Sequence, residues 1–210
     1  MAIASVSFSA DLYVFPGGTT PNYSTINDAL LNASDGDRIL VANATYTNAI
    51  TIPVNLSVSI LPLVEGETYI VAGNLSMAGN NGSNQTNSFV NIHGMVLQGD
   101  FNGNTSYTVS SAFAQLNIVN CQFYSQFNPH DKILTNLYYS KFYNYVNGMF
   151  KELIGNTFET NQASTNNSPP DLRIVHVSGN SSISNFYSST DMKIKIYANK
   201  FINRGIDFGY

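Results

Sequence analysis

Residues able to carry acid–base chemistry are scarce, because charged side chains make up only 10% of the 210-residue sequence. Acidic residues come close together at two places, Asp35 with Asp37 and Glu65 with Glu67, and a glycine separates the members of each pair. Paired carboxylates cleave glycosidic bonds only when their separation and surroundings are matched. Solvated turn residues rarely meet that condition, so we predict no catalytic residue among them.

The histidines and the single cysteine do not form a recognisable catalytic or metal-binding pattern. His93 and His176 stand among apolar neighbours, and His130 follows Pro129 in a polar stretch, with no obvious nucleophile or acid partner for any of them. Cys121 cannot form an intrachain disulfide, and no Cys/His cluster has zinc-site spacing. We therefore predict no metal site and no cofactor, and we expect Cys121 to be a packed thiol.

Tyrosines make the stronger case for ligand contact. Tyr124 and Tyr143 directly follow Phe123 and Phe142, and side chains alternate between the two faces of a strand. If the phenylalanines point inward, these tyrosines face outward, where ring stacking and neutral hydrogen bonds suit a sugar. The alternative is that the rings pack between repeats or at a subunit contact. The predicted ligand-binding residues are Tyr124, Tyr138, Tyr143 and Tyr145.

A repeated pattern must position these tyrosines. An apolar residue recurs five positions ahead of a phenylalanine, often with Asn or a small residue between them. The pairs are Val96 with Phe101, Ile118 with Phe123, Leu137 with Phe142, Leu153 with Phe158, and Ile196 with Phe201. A period of roughly 20 residues indicates a solenoid, whose units bury their apolar sides only by stacking. We predict one interior column of the five phenylalanines and a parallel column of Ile118, Leu137, Leu153 and Ile196.

One helix is predicted ahead of these repeats, from Tyr23 to Ala33. Ser24 or Thr25 can cap its start, and Gly36 is available for a left-handed C-terminal position. Its apolar face at helical spacing consists of Ile26, Ala29, Leu30 and Ala33.

The run from Thr25 to Ile52 combines Thr-Ile, an Ala-rich helix, Gly-Asp, an apolar strand and Thr-Tyr. It resembles the entry segment of the pectate-lyase-like superfamily, and the strand-then-Asn-then-Phe repeats are similar to that family's coils. The resemblance implies an all-β, single-domain, right-handed parallel β-helix over residues 1–210. The N-terminal strand and capping α-helix would occupy residues 1–37, and stacked coils residues 38–210.

The resemblance also implies polysaccharide cleavage, but the motifs that carry it are absent. Polygalacturonase-like members use closely placed Asp residues, a Gly-His-Gly and an Arg-x-Lys, whereas this sequence has only His93-Gly94 after Ile92. Pectate lyases need clustered acidic residues for calcium and an arginine base. We therefore favour a non-enzymatic protein, with a small polysaccharide lyase or hydrolase of the superfamily as the alternative.

Composition restricts the partners and the location that the sequence predicts. A pI near 5.1 with only nine basic residues argues against nucleic acid, no apolar run is long enough to span a bilayer, and no signal peptide is expected. We predict a virion or phage appendage or structural protein, at the virion or extracellular surface, that binds a glycan or receptor. A purely architectural subunit is a third option. The expected partners are copies of itself, with a trimer favoured, or other virion or surface subunits.

Overall fold

A computed structural model describes residues 9–53, 56–78, 88–103, 114–129, 133–159, 172–175, 195–202 and 206–209. The described chain is nearly all β-structure, with one helix near its start. Within these residues, no helix has the length and apolar character needed to span a bilayer. The architecture is a parallel β-solenoid, which confirms the predicted fold class.

The chain begins with β1 (Asp11–Val14) and α1 (Ile26–Asn32) and then winds through successive coils of up to three strands. Coil 1 contains β2 (Arg38–Val41), β3 (Thr45–Tyr46) and β4 (Ile50–Ile52). Coil 2 contains β5 (Val58–Pro62), β6 (Tyr69–Val71) and β7 (Leu75–Met77). Coil 3 contains β8 (Ser88–His93), β9 (Met95–Leu97) and β10 (Phe101–Gly103). Coil 4 contains β11 (Ala114–Val119), β12 (Gln122–Phe123) and β13 (Phe127–Asn128). Coil 5 contains β14 (Ile133–Tyr138), β15 (Lys141–Phe142) and the first part of β16 (Val146–Ile154). Coil 6 contains the rest of β16, β17 (Thr157–Glu159) and β18 (Leu172–Val175). Coil 7 contains β19 (Lys195–Tyr197), β20 (Lys200–Ile202) and β21 (Ile206–Gly209).

Equivalent strands of successive coils pair in parallel and build three sheets. Sheet A contains β1 and the first strand of each coil, sheet B the second strands, and sheet C the third strands. The long strand β16 ends the sheet C part of coil 5 and continues into sheet A of coil 6. Neighbouring coils are therefore about 4.8 Å apart, the spacing of hydrogen-bonded strands.

Sheet A directs an aliphatic column into the interior. The column consists of Leu12, Ile39, Ile60, Ile92, Ile118, Leu137, Leu153 and Ile196. This register confirms the predicted alignment of Ile118, Leu137, Leu153 and Ile196. The column is fully buried from Ile39 to Leu153, whereas Ile196 on β19 is 37% exposed.

Sheet B supplies the aromatic column. Its inward residues are Tyr46, Val71, Leu97, Phe123, Phe142, Phe158 and Phe201. The Phe142 ring lies 5.0 Å from Phe123 and 5.2 Å from Phe158, with nearly parallel planes, and Phe158 lies 5.1 Å from Phe201. Stacking of these four rings confirms most of the predicted column.

The assignment of Phe101 to that column is wrong. Phe101 is buried, but it lies on sheet C, in register with Leu75 and Phe127, and its ring stacks on Phe127 at 4.8 Å. In the other four pairs, five residues carry the chain from sheet A around a corner to sheet B. Val96 already lies on sheet B, so the same spacing carries the chain around the next corner, to sheet C.

The corner between sheets A and B holds a polar ladder inside the solenoid. Ser140 Oγ accepts from Cys121 N at 3.0 Å, Asn156 Oδ1 from Ser140 N at 2.9 Å, and Asn199 Oδ1 from Asn156 N at 2.9 Å. Asn120 is not part of this ladder, although its sequence position resembles those of Asn156 and Asn199. It occupies the preceding left-handed position, with φ of 52°, because coil 4 places a cysteine at the inward rung.

The helix is shorter than predicted. Thr25 is its N-cap and accepts from Asp28 N at 3.0 Å, and its buried face contains three of the four predicted apolar residues. Tyr23 lies outside the helix and bridges to Val14, and Ala33 is extended. Gly36 does adopt a left-handed conformation, with φ of 90°, but in the turn that follows the helix. The helix packs against β4, β1 and β2 at the first coil.

Candidate ligand-binding face

The four predicted tyrosines lie on three different parts of the solenoid. Tyr124 and Tyr143 directly follow β12 and β15 of sheet B, whereas Tyr138 ends β14 on sheet A. Tyr145 lies in the corner between sheets B and C, where its carbonyl oxygen accepts from Phe127 N at 2.9 Å. The structure therefore brings together only Tyr124 and Tyr143.

The alternation of side chains along a strand explains why these two rings meet on the outer surface of the solenoid. Their backbones continue the sheet B ladder, since Tyr124 N donates to Leu97 O at 3.0 Å and Tyr143 N donates to Phe123 O at 2.9 Å. The preceding phenylalanines point inward, so the tyrosines point outward. The two rings stack with centroids 4.7 Å apart and planes at 19°. This inter-coil contact is the packing role that the alternative interpretation gave them, yet 45% of Tyr124 stays exposed.

Polar side chains surround this pair on the same surface. Gln122 and Lys141 stand two residues ahead of Tyr124 and Tyr143, and Tyr124 Oη donates to Gln122 Oε1 at 3.5 Å. Register continues this surface into coils 6 and 7. We define the tyrosine face as Gln122, Tyr124, Lys141, Tyr143, Thr157, Glu159 and Lys200.

The tyrosine face combines a stacked aromatic pair with the ammonium groups of Lys141 and Lys200 and the carboxylate of Glu159. Burial, followed by the proximity of Tyr124 and Glu159, raises the pKa of Tyr143, so its hydroxyl stays protonated at neutral pH. Lys141 and Lys200 are exposed, and neither forms an ion pair with another residue that the structure describes. The face thus offers hydroxyl, amide and ammonium groups beside an exposed ring.

Tyr138 is hydrogen-bonded to a side chain of the next coil. Its hydroxyl donates to Glu152 Oε2 at 2.7 Å, and burial together with this carboxylate raises the pKa of Tyr138 to about 12. The register shifts between Thr135 and Asn136, so that Lys151 has no counterpart on β14. Such a β-bulge re-aims the side chains around it. The proton of the Tyr138 hydroxyl is therefore donated within the protein, to Glu152.

Outward amides form a second ladder on sheet A. Asn91 donates to Ser59 Oγ at 3.1 Å, Asn117 to Asn91 Oδ1 at 2.8 Å, and Asn136 to Asn117 Oδ1 at 2.7 Å. Asn136 is nearly fully buried, and its own Oδ1 has no hydrogen-bond partner among the described residues. These amides stabilise the stacking of coils, because each of them donates one N–H to a side chain of the preceding coil.

The predicted ligand-binding set leaves out a strongly exposed tyrosine in the corner between sheets A and B. Tyr139 is 64% exposed and has a left-handed backbone with φ of 52°. A Cβ at Gly155 would lie only 2.6 Å from Tyr139 Cδ1, so the tyrosine side chain lies against that glycine. Gly94, Gly155 and Asn120 occupy the same corner position, and aligning Tyr139 with these turn-forming residues would have placed it there.

The acidic pairs have structural positions. Asp37 is buried and accepts from Ala10 N at 2.7 Å and Ser34 N at 2.8 Å, and Asp35 accepts from Ser57 N at 2.8 Å. Glu65 and Glu67 are exposed in a turn. Across the described parts of the chain, no three His, Cys, Asp or Glu residues are grouped closely enough to hold a metal ion.

Cys121 and one of the three histidines lie among the described residues. Cys121 is buried, and burial raises the pKa of its thiol to about 12, which confirms a packed thiol. His93 is partly buried, and this burial lowers its pKa. His130 and His176 lie outside the described residues.

Comparison with known proteins leaves the architecture as the basis for classification. No protein-family model matches the sequence, and neither the curated proteins nor the solved structures give a match. In the part of the chain that the structure describes, three parallel sheets and one helix at their start define the class, a parallel β-solenoid with an N-terminal helix.

Proposed function

We propose that the protein is a non-enzymatic, surface-exposed β-helix, an appendage or structural protein of a virion or phage that binds a glycan or receptor. The supporting observation is the tyrosine face, where the exposed Tyr124 ring stacks on Tyr143 beside amide, hydroxyl, ammonium and carboxylate groups. We also infer a right-handed coil and a relation to the pectate-lyase-like superfamily, on the strength of the entry segment and the coil pattern.

A sugar suits this face better than an apolar or strongly charged partner. Sugars present apolar C–H faces together with neutral hydroxyls, and they match an aromatic ring flanked by polar groups. Charged residues make up only 10% of the sequence, and much of the outer surface of sheets A and B consists of Asn, Ser, Thr, Gln and Tyr. A hydrogen-bonding surface with few charges favours a glycan in an extracellular or virion setting.

A glycan array of neutral and acidic oligosaccharides tests the binding proposal. We expect Tyr124→Ala to weaken binding of the captured glycan by about two- to tenfold, the loss expected for one aromatic contact. Tyr13→Ala is the matched control, because Tyr13 is another partly exposed tyrosine but lies on β1 of sheet A. Unchanged binding by Tyr124→Ala, or equal losses in both variants, would contradict the assignment to the tyrosine face.

Catalytic turnover is not part of this proposal, and it can be tested separately. We expect no cleavage of pectate, alginate or other uronate polymers, with or without added calcium. Ultraviolet absorbance from unsaturated products that depends on Asp35, Asp37, Glu65 or Glu67 would favour the enzyme alternative.

Self-association is the second part of the proposal. Ile196 and Tyr197 on β19 expose apolar surface on a strand of the last described coil, and exposed apolar strands invite pairing with another chain. A closed cyclic homo-oligomer, with a trimer favoured, covers such surface with identical contacts. Light scattering at micromolar concentration should report a multiple of 22.9 kDa. A mass of one chain would contradict self-association.

A further inference from the structure

A cavity of about 160 Å³ lies beside the first coil, away from the tyrosine face. Its walls come from Pro16, from residues 24–27 at the start of α1, and from residues 45–50 in β3, the following corner and β4. The cavity therefore occupies the junction between the helix and the corner that joins sheet B to sheet C.

Hydrogen bonds fix the shape of these walls. Asn27 bridges helix and strand, because its Nδ2 donates to Ala49 O and its Oδ1 accepts from Thr51 N at 2.9 Å. The buried Tyr46 hydroxyl donates to backbone carbonyl oxygens of Val14 and Ala42, at 3.2 and 3.1 Å. Walls held in this way need little ordering when a ligand enters, which favours affinity.

The lining chemistry selects a neutral ligand. No charged residue lines the cavity, and the Asp28 carboxylate accepts from Thr25 Oγ1 at 2.7 Å beside the start of the helix, so an anion would meet like charge there. Thr45, Thr47 and Asn48 are exposed and form no side-chain hydrogen bond with another described residue. These groups can bind hydroxyls, while the exposed apolar atoms of Pro16 and Ala49 provide a surface for C–H groups.

Size restricts the ligand further. Pockets for drug-sized molecules measure about 300–1,000 Å³, so this smaller cavity suits a single ring and not an oligosaccharide chain. We propose that it binds one neutral pyranose unit, with Thr45, Thr47 and Asn48 contacting the sugar hydroxyls. The site shares no residue with the tyrosine face, so the two binding proposals stand or fall separately.

An NMR titration of the full ¹⁵N-labelled chain tests this site. The probes are methyl α-glucoside, methyl β-galactoside and N-acetylglucosamine, with glycerol and glucuronate as comparison ligands. We expect saturable shifts of the Thr47, Asn48 and Ala49 amides with at least one neutral pyranoside. Thr47→Val and Asn48→Ala should each raise the dissociation constant by about two- to tenfold, the effect of losing one neutral hydrogen bond.

Thr19→Val is the matched control, because it removes the same hydroxyl from an exposed residue outside the cavity lining. Its dissociation constant should equal that of the wild type. The proposal is overturned if no neutral pyranoside gives saturable shifts, if glycerol binds equally well, or if glucuronate binds more tightly. Shifts confined to the Tyr124 and Tyr143 amides would also overturn it, while supporting the tyrosine face.

Discussion

Replacing Phe142 with alanine tests whether the aromatic column holds the solenoid together. The ring is fully buried between Phe123 and Phe158, with ring planes at 2° and 13°, and meets Phe127 at 5.2 Å and 67°. Removing a buried phenylalanine costs about 3–5 kcal/mol of unfolding free energy. We expect the upper half of that range, because the neighbouring coils are held apart by backbone hydrogen bonds and cannot close the space.

Urea unfolding followed by far-UV circular dichroism and tyrosine fluorescence measures this loss, since the sequence contains no tryptophan. Phe89→Ala is the matched control, because Phe89 lies on β8 but is 47% exposed. Its unfolding free energy should fall by less than about 1 kcal/mol. Losses for the two variants that agree within about 1 kcal/mol would refute the idea that the stacked rings carry the core.

Three further predictions follow from single residues. Gly155→Ala should destabilise more than Gly36→Ala, because both have positive φ but only Gly155 meets a side chain, that of Tyr139; the excess should vanish when Tyr139 is also alanine. The pKa of Tyr138 rises to about 12 on folding from an ordinary value near 10, so its stabilisation is complete below about pH 10 and lost towards pH 12. Subtracting the pH profile of Tyr138→Phe from that of the wild type should isolate this decline, and a pH-independent difference would contradict it. Cys121 should resist a water-soluble disulfide reagent until the chain is unfolded, because the thiol is buried and its pKa is about 12; rapid labelling of the native protein would disprove this.

The interior columns could be predicted because burial imposes a regular pattern on the sequence. Ile118 and Phe123 are separated by one strand end, a two-residue corner and the start of the next strand, and coils 5 to 7 keep that arrangement. In coil 3 the same spacing begins on sheet B, so it places Phe101 on sheet C and not in the sheet B column. Sequence spacing counts residues, but it does not say which corner they turn.

The outer face was harder to predict for a related reason. Tyr138 and Tyr143 are close in sequence, yet a corner puts them on different sheets, and the hydrogen bond to Glu152 depends on a bulge in the partner strand. The cavity beside α1 depends on Asn27 reaching the backbone of a later strand. Contacts between distant segments of this kind leave no local pattern in the chain.

The polar ladder inside the corner between sheets A and B has a direction, and this direction matters while the chain is being synthesised. In each rung the donating amide belongs to the earlier coil, and the accepting side chain, in Ser140, Asn156 or Asn199, belongs to the next one. On the ribosome, the donor therefore emerges before its acceptor exists, and a buried unpaired amide is costly. Each of these hydrogen bonds is therefore completed only after the following coil has been made, and the corner of a coil is finished by the coil translated after it.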